Sequence, residues 1–331
     1  MRTLLAVLIP AVACGLVAVP AAAQDGPTPK IFTSKTVTHI GVVVRDVETV
    51  GQVYADVFGV PVSDVVEPAA VSFPETHSGD PKARPRIVNV QFDNMRVELA
   101  EPVGGSSPWR DFLNRHGEGI HHIGISVTDL EGHVRLLESL GGRRTLGAVG
   151  GSYAFVDLMP QLGITIELNK VASPLPAEGQ SVGDGLRVLA RIGMMAEEAD
   201  PFRKAWQTLF DVPVAPAVVA TNVPMPKGFH YAEDASNREQ YVPLDNTWVN
   251  VIEANGGKSP WRDLLDKRPG FHYLNFNVDD VDATVRMLES KGGTRTLGDV
   301  GVPFAYVDVP PLGVTILLLG PQISERQRGL R

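Results

Sequence analysis

The chain repeats itself at an offset of about 151 residues, and that limits its architecture more than any other feature. SPWRDFL at 107–113 returns as SPWRDLL at 259–265, and GGRRTLGAVGGSYAFVDL at 141–158 returns as GGTRTLGDVGVPFAYVDV at 292–309. Earlier, THIGVVVRDVETVGQVYADVFGVPV at 38–62 matches ARIGMMAEEADPFRKAWQTLFDVPV at 190–214. Two similar halves follow, 30–172 and 186–320. They are joined by a linker at 173–185 within VASPLPAEGQSVGDG, which is rich in Pro, Gly and Ser.

Each half repeats again, more faintly. HIGVVVRDVETV at 39–50 resembles HIGISVTDLEGH at 122–133; both read as a short strand, a turn and a helix. In VTDLEGHVRLLESLGG, Asp129 is the expected cap, Val134, Leu136, Leu137 and Leu140 form a helical apolar stripe, and Gly141-Gly142 end it. Short strands follow each helix, ending in RVELAEP (96–102) and ITIELNK (164–170). The fold expected is α+β, with four βαβββ modules in tandem and helices on one side of the sheets. Ser107 and Pro108 open a connecting helix. Trp109, like Trp261 in the twin helix, is expected to pack between modules.

The N-terminus, MRTLLAVLIPAVACGLVAVPAAAQDG, has a basic start, an apolar run and a small-residue site at Ala21-Ala22-Ala23. It reads as a signal peptide over 1–23, in preference to a membrane anchor, and gives a secreted or periplasmic protein. The sole cysteine, Cys14, leaves with it, so disulfide and thiol chemistry are excluded. No later stretch is apolar enough to span a bilayer. Roughly 308 residues remain, enough for two domains. A net charge of −8 with no Lys/Arg block argues against a nucleic-acid partner.

EGIHHIGISV at 118–127 places two histidines side by side. Strand alternation sends them to opposite faces, so one at most joins a given site. His122 matches His39, each being followed by Ile-Gly; Glu98 and Glu167 also match, each in the last strand of its module. Two modules facing across a pseudo-twofold would gather all four. Two imidazoles and two carboxylates neutralise a divalent cation and leave positions for substrate oxygens. His121 is expected to be structural, or at the rim of the site. In the second half the four positions become Arg191, Asn250, Tyr273 and Leu317, while His272 matches His121. That half is therefore not expected to bind metal in the same way.

VTHIGVVVRDVE, VELAEP, GEGIHHIGISVTDLE and ITIEL together resemble the vicinal oxygen chelate superfamily, which includes glyoxalases, bleomycin-resistance proteins and extradiol dioxygenases. The local similarity is strongest to methylmalonyl-CoA epimerase-like proteins. The resemblance implies two glyoxalase-like domains, the second degenerate. It also implies one divalent ion (Zn, Ni, Co, Mn, Mg or Fe) on His39, Glu98, His122 and Glu167. The activity implied is that of an isomerase, epimerase or lyase acting on a small substrate with adjacent oxygens. The metal would stabilise an enediolate, and Glu98 or Glu167 would serve as base. Glu67, Glu101, His77 and Tyr153 are further cleft candidates. Two alternatives stand beside this reading: an extradiol-type Fe(II) dioxygenase, which needs two histidines and one carboxylate, and a non-catalytic small-molecule-binding or resistance protein. No membrane partner is expected after cleavage, and the state is monomer or homodimer.

Overall fold

The computed structural model describes residues 31–68, 71–74, 79–172, 185–213, 217–221, 232–267 and 270–323. The expected leader, His77 and all of the expected linker except Gly185 lie outside these residues. Among the described residues no helix is long and apolar enough to cross a membrane.

The first half runs β1 (Val37–Val43), α1 (Val47–Phe58), β2 (Arg84–Gln91), β3 (Arg96–Val103), α2 (Pro108–His116), β4 (Gly119–Val127), α3 (Leu130–Ser139), β5 (Arg143–Leu146), β6 (Tyr153–Leu158), the single turn α4 (Met159–Leu162) and β7 (Ile164–Lys170). Local chemistry sets these boundaries. The Asp46 carboxylate accepts from the backbone N–H of Glu48 and Thr49 at the start of α1, and Gly59 ends that helix in the left-handed region at φ 62°. Ser107 caps α2 through Arg110 N–H, and Asp129 caps α3 through Gly132 N–H, as the sequence predicts. Val134, Leu136 and Leu137 are buried on the expected stripe.

These strands form one sheet in the order β2-β3-β1-β4-β7-β6-β5. It is symmetric about its centre. β1 and β4 pair antiparallel, and each is flanked by the last strand of its own repeat in parallel, β3 beside β1 and β7 beside β4. The second half runs β8 (Arg191–Ala196), α5 (Ala199–Phe210), β9 (Val218–Thr221), β10 (Ser236–Pro243), β11 (Trp248–Asn255), α6 (Pro260–Lys267), β12 (Gly270–Asn277), α7 (Val281–Ser290), β13 (Thr294–Leu297), β14 (Phe304–Val309) and β15 (Val314–Leu319). Its sheet, β13-β14-β15-β12-β8-β11-β10-β9, has the same centre. Repeating strand–helix–strand units in two sheets therefore match the α+β expectation.

One expected strand is reduced. Between α1 and β2 the described residues form only two isolated bridges, Val62 with Val90 and Val66 with Ile87, where the second half has β9. Pro61, Pro68 and Pro74 cannot donate to a ladder, which breaks pairing here.

The helical faces of both sheets share one apolar core. Phe58 meets Phe276 at 4.9 Å and Phe32 stacks on Phe210 at 5.0 Å, each contact crossing between halves. Two hairpin asparagines fasten this join. Asn246 donates to the carbonyls of Val37 and Asn94 and accepts from Val37 N–H. Asn94 donates to the carbonyls of Leu189 and Asn246 and accepts from Leu189 N–H. Both are buried, so each amide satisfies backbone groups that would otherwise be stranded. The opposite face of each sheet carries its own smaller cluster. In the first half Trp109, Phe112 and Leu113 of α2 pack there on Val43, Ala100 and Phe155. Trp109 is 3 % exposed, in agreement with a packing role.

Candidate metal centre

His39, Glu98, His122 and Glu167 sit on the four central strands of the first sheet, one residue per strand. One potential donor atom from each lies within 4.8 Å of all the others. The pseudo-twofold gathering expected from the repeat is thus observed. Among the described residues this is the one group of three or more such side chains close enough to share an ion.

The sheet register makes the site. His39 lies opposite Gly124, and His122 opposite Gly41. A Cβ added to Gly41 would come within 1.9 Å of the His122 ring, and one on Gly124 within 2.0 Å of the His39 ring. Each imidazole therefore lies across a glycine of the neighbouring strand. The His-Ile-Gly motif is reciprocal: each copy supplies one ring and the floor for the other ring.

Both histidines are buried, at 1 % and 0 % exposure, and the carboxylates are nearly so. Glu167 Oε2 lies 3.0 Å from His39 Nε2 and 3.2 Å from His122 Nε2. Glu98 Oε1 is farther off, 3.7 Å from His122 Nε2. Burial disfavours charge on His39, but Glu167 and Glu98 outweigh it and raise its pKa, with Arg96 opposing them. Burial would likewise raise Glu167, yet His39 and His122 hold it well below the usual carboxylate range. His122 Nε2 is fully buried and has no aligned hydrogen bond, despite its short contact with Glu167. A buried ring nitrogen without an aligned partner is costly unless something satisfies it. Two carboxylates and two imidazoles around that nitrogen suit a single divalent metal ion.

Polar and aromatic neighbours surround the four side chains. Asn169 Nδ2 donates to Glu167 Oε1 at 2.9 Å, Thr38 Oγ1 lies 3.1 Å from His39 Nδ1, and Arg96 Nη2 lies 3.3 Å from the same nitrogen. Phe155 stands edge-on to His122 at 5.0 Å, and Trp109 in turn packs on Phe155.

His121 departs from expectation. Gly41 pairs with His122 but Val42 pairs with Ile120, so His121 is an extra residue in a β-bulge. The bulge breaks strict alternation and brings His121 Nδ1 to 3.1 Å from His122 Nδ1. His121 thus supports the neighbouring ring instead of turning away from it. His272 occupies the matching bulge in β12.

Glu67 and Glu101 lie outside the cluster. Glu67 is half exposed and faces Arg84 and Arg86. Glu101 has the opposite strand parity to Glu98, binds Arg86 at 2.9 Å and accepts from Val47 N–H beneath α1. Tyr153 lies on the correct face, with its ring 6.2 Å from that of Phe155. The neighbouring residues Arg96 and Asn169 were not among the sequence candidates, although each stands two positions from a predicted glutamate and so shares its face.

At the equivalent place in the second half, Asn250 Nδ2 donates to Tyr273 Oη at 2.7 Å and to Glu239 at 3.1 Å, and Tyr241 donates to the same carboxylate. Arg191 donates to Asn275 Oδ1 at 2.6 Å, and Leu317 is buried.

Three comparisons place these features among known proteins. Residues 38–155 match the family model described as Glyoxalase/Bleomycin resistance protein/Dioxygenase superfamily. The mitochondrial methylmalonyl-CoA epimerase of Mus musculus is 29 % identical over 138 residues, covering 40 % of this chain and 71 % of that protein. The ethylmalonyl-CoA/methylmalonyl-CoA epimerase of Cereibacter sphaeroides is 28 % identical over 142 residues, covering 40 % and 96 %. Among solved structures, a mutant of 4-hydroxymandelate synthase from Streptomyces coelicolor superposes with a TM-score of 0.55. It covers 89 % of this chain and 96 % of that one at 14 % identity, a likeness of fold alone.

Proposed function

On the vicinal oxygen chelate, or glyoxalase, superfamily fold that this chain carries, we propose a metal-dependent isomerase, epimerase or lyase that acts on a small substrate with adjacent oxygens. The observation behind this reading is the four-donor cluster on the central strands. His39, Glu98, His122 and Glu167 would hold one divalent ion, and residues 30–172 would form the active domain, made of two modules. Residues 186–320 would form a second, metal-free domain of the same kind. When bound, the ion would supply Lewis-acid polarisation of a substrate carbonyl.

The chain's own groups divide the remaining work. Glu167 is fixed by His39, His122 and Asn169, so it serves as a structural ligand. Among the described residues Glu98 has only long contacts, 3.7 Å to His122 and 3.9 Å to Arg96, which leaves it freer to turn and take a proton. Moving a proton from the carbon beside a carbonyl to Glu98 and back to that carbon or its neighbour is redox-neutral and needs no co-reactant. Trp109, Phe112 and Phe155 wall the site against water on one side.

The fourth donor, Glu98, favours this reading over an extradiol-type dioxygenase, whose iron takes two histidines and one carboxylate. Similarity to the CoA-thioester epimerases points to a small-molecule ligand. The expected leader would place the site outside the cytoplasm; the N-terminal sequence of the protein recovered from its producing cells tests that, with a start near Gln24 expected. Metal analysis of the purified protein tests the main proposal. One equivalent of divalent metal is expected, together with proton exchange at the carbon α to the carbonyl of a hydroxyketone or malonyl thioester that stops on chelation and returns with added metal. Full exchange activity in rigorously metal-free protein would sink it.

A further inference from the structure

Arg96 borders the metal cluster yet is poorly satisfied. Its side chain is 38 % exposed, its Nε is buried with no partner, and Glu98, 3.9 Å away, is its nearest carboxylate among the described residues. Arg144 shares the unpartnered Nε, so the difference between Arg96 and the structural arginines of this chain lies in their ion pairs. Arg144 is almost fully buried and reaches both oxygens of Glu131 at 3.0 Å, and Arg86 holds Glu48 at 2.6 Å and Glu101 at 2.9 Å. Arg96 instead leans on a histidine nitrogen, His39 Nδ1, at 3.3 Å.

That contact is incompatible with metal binding. A guanidinium only donates, so in the neutral ring that contact makes His39 Nδ1 the acceptor and leaves the proton on Nε2, which presents it to Glu167 at 3.0 Å. A metal on Nε2 takes the lone pair there and moves the ring proton to Nδ1, where Thr38 Oγ1 at 3.1 Å can accept it. Arg96 would then face an N–H and would have to find another acceptor. Its exposure and its position two residues from Glu98, on the same strand face, direct it towards the substrate side of the cluster.

We propose that Arg96 is a carboxylate anchor, so that the ligand of this cleft is a small acid whose two vicinal oxygens face the metal cluster and whose further carboxylate pairs with the guanidinium. The proposal rests on the metal reading above. Planar, two-pronged pairing with a carboxylate is the arrangement in which arginine surpasses lysine. The equivalent second-half residue is Trp248, consistent with an anchor needed only where the metal cluster exists.

The test uses the full chain loaded with Co²⁺ and two probes, tartronate and glycolate. Both offer a hydroxyl beside a carboxylate, and only tartronate has a second carboxylate. The cobalt absorption spectrum and calorimetry report binding. Wild type should prefer tartronate, and Arg96→Gln should lower its tartronate affinity by about 10-fold or more while leaving glycolate within about twofold. Arg96→Lys should fall between them. An unchanged preference in Arg96→Gln overturns the proposal. So does a variant that binds cobalt more weakly but, once loaded, keeps the preference, because Arg96 would then merely position Glu98. Failure of the wild type to take up cobalt overturns the metal reading, and this proposal with it, and the initial metal titration separates that case from the others.

Discussion

The two halves share the order of seven strands, the serine and aspartate caps of α2/α6 and α3/α7 and even the β-bulge, yet their central sites differ in kind. In the first, imidazoles and carboxylates converge with one buried nitrogen left unsatisfied. In the second, Asn250 donates to Tyr273 and Glu239, and Tyr241 donates to Glu239, a hydrogen-bonded network that reaches out to β10. The glycines show how the divergence was accommodated. Gly193 persists under Tyr273, where an added Cβ would come within 1.7 Å of the ring. The counterpart of Gly124, however, is Asn275, which binds Arg191 directly. A floor for a flat ring was kept on one side and exchanged for a hydrogen-bond partner on the other. The fold therefore does not require the metal-site residues, and their presence in one half needs a functional explanation.

The largest expected effect breaks the asymmetry at its source. Glu167→Ala should lower metal affinity by well over about 100-fold, beyond the 10- to 100-fold typical of supporting residues, while Leu317→Ala leaves metal content unchanged; metal titration with a chelating dye measures both. Importing the second-half residue through Gly124→Asn should displace the His39 ring and also cost about 100-fold or more in metal affinity, with the circular dichroism spectrum preserved. Next come the paired bulge histidines. His121→Phe should weaken metal binding about 10- to 100-fold, whereas His272→Phe should leave it unaltered, since only His121 abuts a ligand. Asn94→Ala and Asn246→Ala should be nearly equal, each costing about 2–4 kcal/mol in denaturant unfolding, because each strands several buried backbone groups.

The smallest effect is on pH dependence. His39 has a raised pKa in the folded, metal-free protein, so its contribution to stability is complete below its ordinary value of 6.5 and fades as pH rises through the folded value. Glu167 contributes with the opposite sign: its stabilisation is present above its ordinary value of 4.5 and is lost as pH falls through the depressed folded value. Thermal melts of chelated protein should therefore decline on the alkaline side. Bound metal competes with the His39 proton, so the metal-dependent gain in melting temperature should grow with pH instead. Parallel slopes with and without metal would contradict this assignment.

Much of this was legible in the sequence because repeats carry register. His39 and His122 match by their shared Ile-Gly, and Glu98 and Glu167 by their place in the last strand, so the central strands could be aligned before any coordinates. Features set by irregularity were not. The bulge at His121 adds one residue to a strand without marking the sequence, and alternation alone sent that ring the wrong way. The Asn94–Asn246 clasp joins hairpins 152 residues apart, a long-range pairing with no local signature. Arg96 belongs to neither group: its parity with Glu98 was readable, but its weak pairing emerges only from three-dimensional distances.

That clasp, together with the shared core, means that the covalent join between halves carries little of the load. Six buried amide hydrogen bonds and the Phe58–Phe276 and Phe32–Phe210 contacts already hold the sheets in one arrangement. Cutting the chain between residues 173 and 185 should then convert an intramolecular pseudo-dimer into a tight heterodimer of fragments, one bringing the metal site and the other completing its hydrophobic back.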